Sequence, residues 1–128
     1  MARVLVIDDQ PTVRSAVAIA MRAHGFDVVV AEDGASSLRQ FKSSHFDLAI
    51  VDIYMPGIDG IKLIKVLREH APGLPVIAMS GVMLNGSETT ALDYLPELPS
   101  LSRIACLKKP FKALDLAKAV QAAMAAAA

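Results

Sequence analysis

Val4-Leu5-Val6-Ile7-Asp8-Asp9 opens the chain with four branched apolar residues and then two adjacent acids. An apolar run of strand length, without polar alternation, suits a strand buried on both faces, as in a parallel sheet. Four further runs of this kind occur at 28–31, 48–51, 76–79 and 104–107. Between them the apolar spacing becomes helical. Residues 11–24 carry Val13, Val17, Ala20 and Met21 and close on Gly25, a natural helix C-terminal residue. Residues 35–44 carry Leu38 and Phe41; residues 59–70 carry Leu63, Val66 and Leu67, with Asp59 placed to cap and Pro72 just beyond. Residues 113 to about 126 carry Leu114, Ala117, Val120 and Met124. Pro96 and Pro99 forbid a long helix between 87 and 102, so a short one near 89–95 is predicted there. Strand followed by helix, five times over, with right-handed crossovers, gives an α/β fold: a doubly wound (βα)5 domain with helices on both faces of a five-stranded parallel sheet.

The chain's 128 residues are enough for one domain spanning 1–128, and enough to bury a core without disulfides. Thirteen Lys and Arg balance thirteen Asp and Glu, so the electrostatic footprint of a nucleic-acid binder is lacking and direct DNA binding by this chain is not expected. One cysteine cannot form an internal disulfide or a zinc cluster. The first apolar stretch is too short for a signal peptide, and no apolar window is long enough to span a membrane. These features predict a cytoplasmic protein without a membrane anchor, and the Met1 start favours a complete N-terminus.

In open parallel sheets, ligands sit beyond the carboxyl ends of the strands, near the point where strand order reverses. The predicted strands end in Asp8-Asp9, Asp52, Ser80 and Lys108-Lys109. Three carboxylates, a hydroxyl and an ammonium should therefore converge at one rim. Crowded carboxylates repel one another and hold protons unless a cation neutralises them. All-oxygen ligands favour a hard ion, Mg²⁺ or Mn²⁺. A carboxylate with a divalent ion on one side and a lysine on the other is equipped to attack a phosphoryl group, which makes acyl-phosphate formation on an Asp the natural reaction.

Four runs carry a family resemblance: Val4-Leu5-Val6-Ile7-Asp8-Asp9; Val51-Asp52-Ile53-Tyr54-Met55-Pro56-Gly57-Ile58-Asp59-Gly60; Met79-Ser80-Gly81; and Leu107-Lys108-Lys109-Pro110-Phe111. In that order, over essentially the whole chain, they resemble the receiver domain of two-component response regulators. The resemblance implies a flavodoxin-like sheet with strand order 2-1-3-4-5. It makes Asp52 the phosphoacceptor, with Asp9 and Asp52 coordinating Mg²⁺ directly, Asp8 assisting and the Tyr54 main-chain carbonyl completing the protein ligands. Ser80 and Lys109 would each bond a phosphoryl oxygen, and the Lys109–Pro110 peptide would be cis. The implied donor is a sensor histidine kinase or a histidine phosphotransfer domain, in two-component signalling or a phosphorelay. The output would be a switched protein interaction, with self-phosphotransfer and autodephosphorylation rather than turnover of an external substrate. Tyr54, two residues beyond the acceptor, is placed to shield the phosphoryl group from water.

The pattern departs from common receivers in two places. Cys106 stands where the family's switch aromatic is expected, three residues before the lysine, and should be a small buried apolar residue. The interval from Ser80 to Lys109 is long, as in a set of single-domain receivers. Met83, Leu84, Leu95, Leu98 and Leu101 within it are expected to pack as a satellite of the core. His24, His45 and His70 are expected in the last turns of helices, where they favour the negative helix end. Lys62, Lys65, Arg68 and Glu69 read as a solvated face. An Asp-nucleophile phosphatase is the competing class, but such enzymes carry Asp-x-Asp after the first strand. Here the acids are adjacent and Ile53-Tyr54 follows Asp52, so no general acid is supplied.

Overall fold

The computed structural model describes residues 2–55, 58–80 and 104–127. Five parallel strands form the central sheet: β1 (Arg3–Ile7), β2 (Asp27–Ala31), β3 (Leu48–Asp52), β4 (Val76–Ser80) and β5 (Ile104–Lys108). They stand in the order β2-β1-β3-β4-β5, so the chain reverses direction across the sheet between β1 and β3. Four helices are described: α1 (Pro11–Ala23), α2 (Gly34–Ser43), α3 (Gly60–His70) and α4 (Ala113–Ala127). The helix predicted near 89–95, and the leucines expected to form a satellite cluster, lie outside the described residues.

Strand alternation divides the core in two. Leu5, Ile7, Ala49, Val51, Val76 and Ala78 face one side and meet Leu63, Ile64 and Leu67 of α3. Val4, Val6, Leu48, Ile50, Ile77 and Met79 face the other and meet Val17 and Met21 of α1 and Leu116, Ala119 and Val120 of α4. Each such fully buried aliphatic side chain contributes about 1.5–3 kcal/mol relative to an exposed one. The three inner strands are therefore apolar at successive positions because both of their faces are covered.

The edge strands behave differently, which corrects two expectations. Along β2, Val28 and Val29 are half-buried and Val30 is 43% exposed. Along β5, Ala105 and Leu107 point toward the α1–α4 core, while Cys106 is exposed rather than buried. Among the described strands β5 pairs with β4 alone, and strand alternation puts Cys106 on the face turned away from α1 and α4.

Local chemistry sets the helix ends. Pro11 occupies the first turn of α1, where its missing N–H costs nothing. Gly25, at φ 87°, takes the left-handed conformation that follows α1. Asp33 caps α2 through its carboxylate, which accepts the Ser36 N–H at 2.7 Å. At the end of α3, the Arg68 guanidinium donates to the Leu74 carbonyl at 3.2 and 3.3 Å and staples the helix to the approach to β4. Arg68 thus does more than hold a solvated face. His24 and His70 bond carbonyls one turn back, at Ala20 and Val66, as expected of helix ends. His45 lies beyond α2 and faces Asp47 at 3.1 Å, because α2 stops at Ser43.

Between β3 and α3, Tyr54–Met55 and Ile58–Asp59 form a short antiparallel ribbon, with Tyr54 opposite Asp59 and Met55 opposite Ile58. The ribbon returns the chain to the rim of the sheet, and α3 starts there at Gly60.

Candidate functional site

The parallel register brings the polar strand ends to one rim. Ile7 of β1 lies beside Val51 of β3, so the next residues, Asp8 and Asp52, emerge as neighbours. Asp52 pairs in register with Met79 of β4, and Ser80 with Lys108 of β5. The site therefore lies where the sheet order reverses, at the crevice that open α/β sheets use for ligands.

Asp8 is fully buried and Asp52 is 3% exposed. Together with the half-buried Asp9 they offer carboxylate oxygens that all lie within 4.8 Å of one another. Lys109 bridges two of the three: its Nζ donates to Asp8 Oδ2 at 2.9 Å and to Asp52 Oδ2 at 3.1 Å. A third hydrogen bond runs from Nζ to Gln10 Oε1 at 3.2 Å. Strand alternation separates the two lysines: Lys109 enters the site with its side chain 14% exposed, whereas Lys108 is exposed. The Lys109 N–H donates to the Ser80 carbonyl at 2.7 Å, and the following Lys109–Pro110 peptide is cis.

Burial pushes the Asp8 carboxyl above the usual carboxylate range; the Gln10 N–H and the Lys109 ammonium oppose the shift without cancelling it, and the Asp52 charge adds to it. Burial alone would lower Lys109. Its hydrogen bonds to Asp8 and Asp52, with their charges, outweigh that effect and hold the ammonium above its ordinary pKa. Lys109 is thus a fixed cation at neutral pH.

One ammonium against three carboxylates leaves two negative charges at the rim, in a donor set made only of oxygen. That set fits a hard divalent cation. A second observation concerns Ser80, which is fully buried and whose Oγ has no hydrogen-bond partner among the described residues. A buried hydroxyl without a partner costs about 1–3 kcal/mol.

The structure thus gathers Asp8, Asp9, Asp52 and Lys109 and ends the neighbouring strand in Ser80. The Tyr54 main chain lies in the ribbon directly after β3; its side chain is outside what the structure describes. Two residues escaped sequence reasoning. Arg14, in the first turns of α1, donates to the Asp8 carbonyl at 2.9 Å and fixes the loop that carries the acids. Gln10 donates its N–H to Asp8 Oδ1 at 2.9 Å and receives Lys109 through its side chain. Their position directly after an acid pair, at the start of a helix, is the only signal that could have marked them.

Comparison with known proteins agrees with this geometry. Residues 4–121 match the response regulator receiver domain family. The DNA-binding response regulator MtrA of Mycolicibacterium smegmatis is 31% identical over 125 residues, covering 94% of this chain and 49% of MtrA. The transcriptional regulatory protein TrcR of Mycobacterium tuberculosis is 33% identical over 107 residues, covering 80% of this chain and 42% of TrcR. Among solved structures, a response regulator receiver domain protein from Clostridium thermocellum superposes with a TM-score of 0.80 at 26% identity, covering 98% of this chain and 95% of that one. NtrX from Brucella abortus gives a TM-score of 0.84 at 28% identity, covering 99% of this chain and 28% of NtrX. The chain belongs to the response regulator receiver domains of two-component signalling systems. It spans about half the length, or less, of these curated relatives.

Proposed function

We propose that the chain is a single receiver domain, spanning 1–128, that takes a phosphoryl group onto Asp52 from the phosphohistidine of a sensor histidine kinase or histidine phosphotransfer domain. The observation that carries this reading is the Lys109 ammonium, held at 2.9 Å from Asp8 and 3.1 Å from Asp52 at the head of an all-oxygen acidic cluster.

A carboxylate oxygen of Asp52 attacks phosphorus in line; the new O–P bond forms as the P–N bond to the donor imidazole breaks, and the imidazole leaves with the bonding electron pair. Lys109 pairs with one phosphoryl oxygen and offsets its charge. Ser80, whose hydroxyl has no partner among the described residues, donates to another. Asp8, Asp9, Asp52 and the Tyr54 carbonyl would hold Mg²⁺ or Mn²⁺, which supplies charge neutralisation at the phosphoryl oxygens when bound. Phosphorylation then biases a conformational equilibrium and changes how the domain binds a protein partner. Binding to nucleic acid is not part of this reading of the chain. In longer relatives such as MtrA, DNA binding belongs to the whole protein.

Acetyl phosphate with Mg²⁺ provides the test. Intact-mass measurement is expected to show one added phosphoryl group on the wild-type chain and none on Asp52→Asn. Labelling of Asp52→Asn to the wild-type extent would overturn the assignment.

A further inference from the structure

Gln10 occupies the N-cap position of α1 with φ −88° and ψ 111°, yet its side chain makes no capping hydrogen bond. Ser, Thr, Asp or Asn ordinarily stands at that position, because a short side chain reaches back to the first free N–H groups. The longer Gln10 side chain goes elsewhere, presenting Oε1 to Lys109 Nζ at 3.2 Å. Its backbone is pinned from both directions. The Gln10 N–H donates to Asp8 Oδ1 at 2.9 Å, and the Gln10 carbonyl accepts the Arg14 N–H at 2.9 Å.

An ammonium has three hydrogens, and here each has an acceptor: Asp8, Asp52 and Gln10. We propose that Gln10 is a positioning residue that acts through Lys109, holding the ammonium so that one hydrogen is aimed at the phosphoryl group arriving on Asp52. This rests on the assignment of Asp52 as the phosphoacceptor. When Asp52 becomes an acyl phosphate its carboxylate charge is lost, and the hydrogen it accepted passes to a phosphoryl oxygen. The other two hydrogens stay on Asp8 and Gln10, which share one short loop, so the ammonium is guided rather than free to turn. Gln10 provides this anchor as a neutral acceptor, without a fourth negative charge in a cluster that already carries three carboxylates.

Two measurements on the full chain test the inference. The first is exchange protection of the Lys109 side-chain ammonium, read by ¹⁵N NMR without metal. The second is the rate of labelling by acetyl phosphate at saturating Mg²⁺. Gln10→Ala is expected to fold normally, because the side chain is exposed and does not cap the helix. It should lose Lys109 protection and be labelled about three- to tenfold more slowly, the range that the net worth of one ordinary hydrogen bond converts to. Gln10→Glu keeps an acceptor oxygen and should restore Lys109 protection, while its added negative charge keeps labelling below the wild-type rate. Unchanged protection or an unchanged labelling rate in Gln10→Ala would overturn the proposal, as would failure of Gln10→Glu to restore protection. If the wild-type chain itself takes no label, the phosphoacceptor reading fails instead, whereas a labelled wild type with an indifferent Gln10→Ala refutes the positioning role alone.

Discussion

Gly60 packs directly against the main chain of Asp52, the proposed acceptor: a Cβ placed on it would lie 2.9 Å from the Asp52 carbonyl oxygen, and would also crowd the backbone of Ile53. No side-chain rotation can relieve a clash between a Cβ and main-chain atoms. The first residue of α3 and the last of β3 are therefore in contact because Gly60 has no side chain. Gly60→Ala is expected to displace the Asp52–Ile53 segment, to cost about 1–3 kcal/mol in urea unfolding and to slow acetyl phosphate labelling. Wild-type stability and labelling in this variant would show that the ribbon absorbs the methyl group elsewhere.

Lys109→Met should separate the lysine's structural and chemical effects. Removing one partner of a buried ion pair costs about 3–5 kcal/mol, because the remaining charge is left uncompensated. Lys109 is slightly exposed, so the lower end applies, and the loss should be greatest in EDTA. Added Mg²⁺ should recover stability but not the labelling rate. Denaturant unfolding with and without Mg²⁺ checks the first expectation, and mass-detected labelling the second.

Acid sensitivity should involve Asp47. Its carboxylate accepts the Arg3 N–H at 2.9 Å and faces His45, and the Arg3 bond is the main reason its pKa lies below the ordinary carboxylate value. A depressed folded pKa means that the unfolded chain binds the proton more readily. The stabilisation is then complete above the unfolded pKa of about 3.9 and is lost as pH falls through the folded value. Asp47→Asn keeps an acceptor oxygen without a titrating charge. It should flatten the dependence of Tm on pH in that acid window and leave it unchanged near neutrality. The side chain is 37% exposed, so solvent screening keeps the effect below about 1 kcal/mol.

The two-sided core predicts a sharp contrast between inner and edge strands. Ile77, on the inner strand β4, is fully buried; Ile77→Ala should cost about 2–5 kcal/mol through lost contacts and the cavity left behind. Val30→Thr, on edge strand β2, should change stability by no more than about 0.5 kcal/mol. Equal losses from the two substitutions would contradict the layering.

Most of this was legible in the sequence because the strongest signals are local. Continuous apolar runs marked all five strands to within a residue at each end, and the residues that follow them named the rim. Which strands lie at the edges is a property of strand order. The apolar run Val28–Ala31 of β2 and the Ile104–Leu107 stretch of β5 looked as buried as β3. Cys106 was misplaced for this reason, since its exposure follows from its place on an edge strand, on the face turned away from α1 and α4, rather than from its own chemistry. Hydrogen bonds across loops were likewise hidden. The reach of Gln10 to Lys109, of Arg14 to the Asp8 carbonyl and of Arg68 to Leu74 depends on distances set only after the sheet is assembled. Asp33, by contrast, could have been read as the cap of α2, because Asp33-Gly34-Ala35-Ser36 is a local arrangement.

The Lys109–Asp8 pair joins side chains 101 positions apart. The carboxylates come from β1 and β3, in the first half of the chain, and their cation comes from the end of β5. A nascent chain still lacking β5 at the ribosome would have Asp52 without the lysine that the proposed transfer requires. On the proposed assignment, competence to receive a phosphoryl group arises only once all five strands have been made.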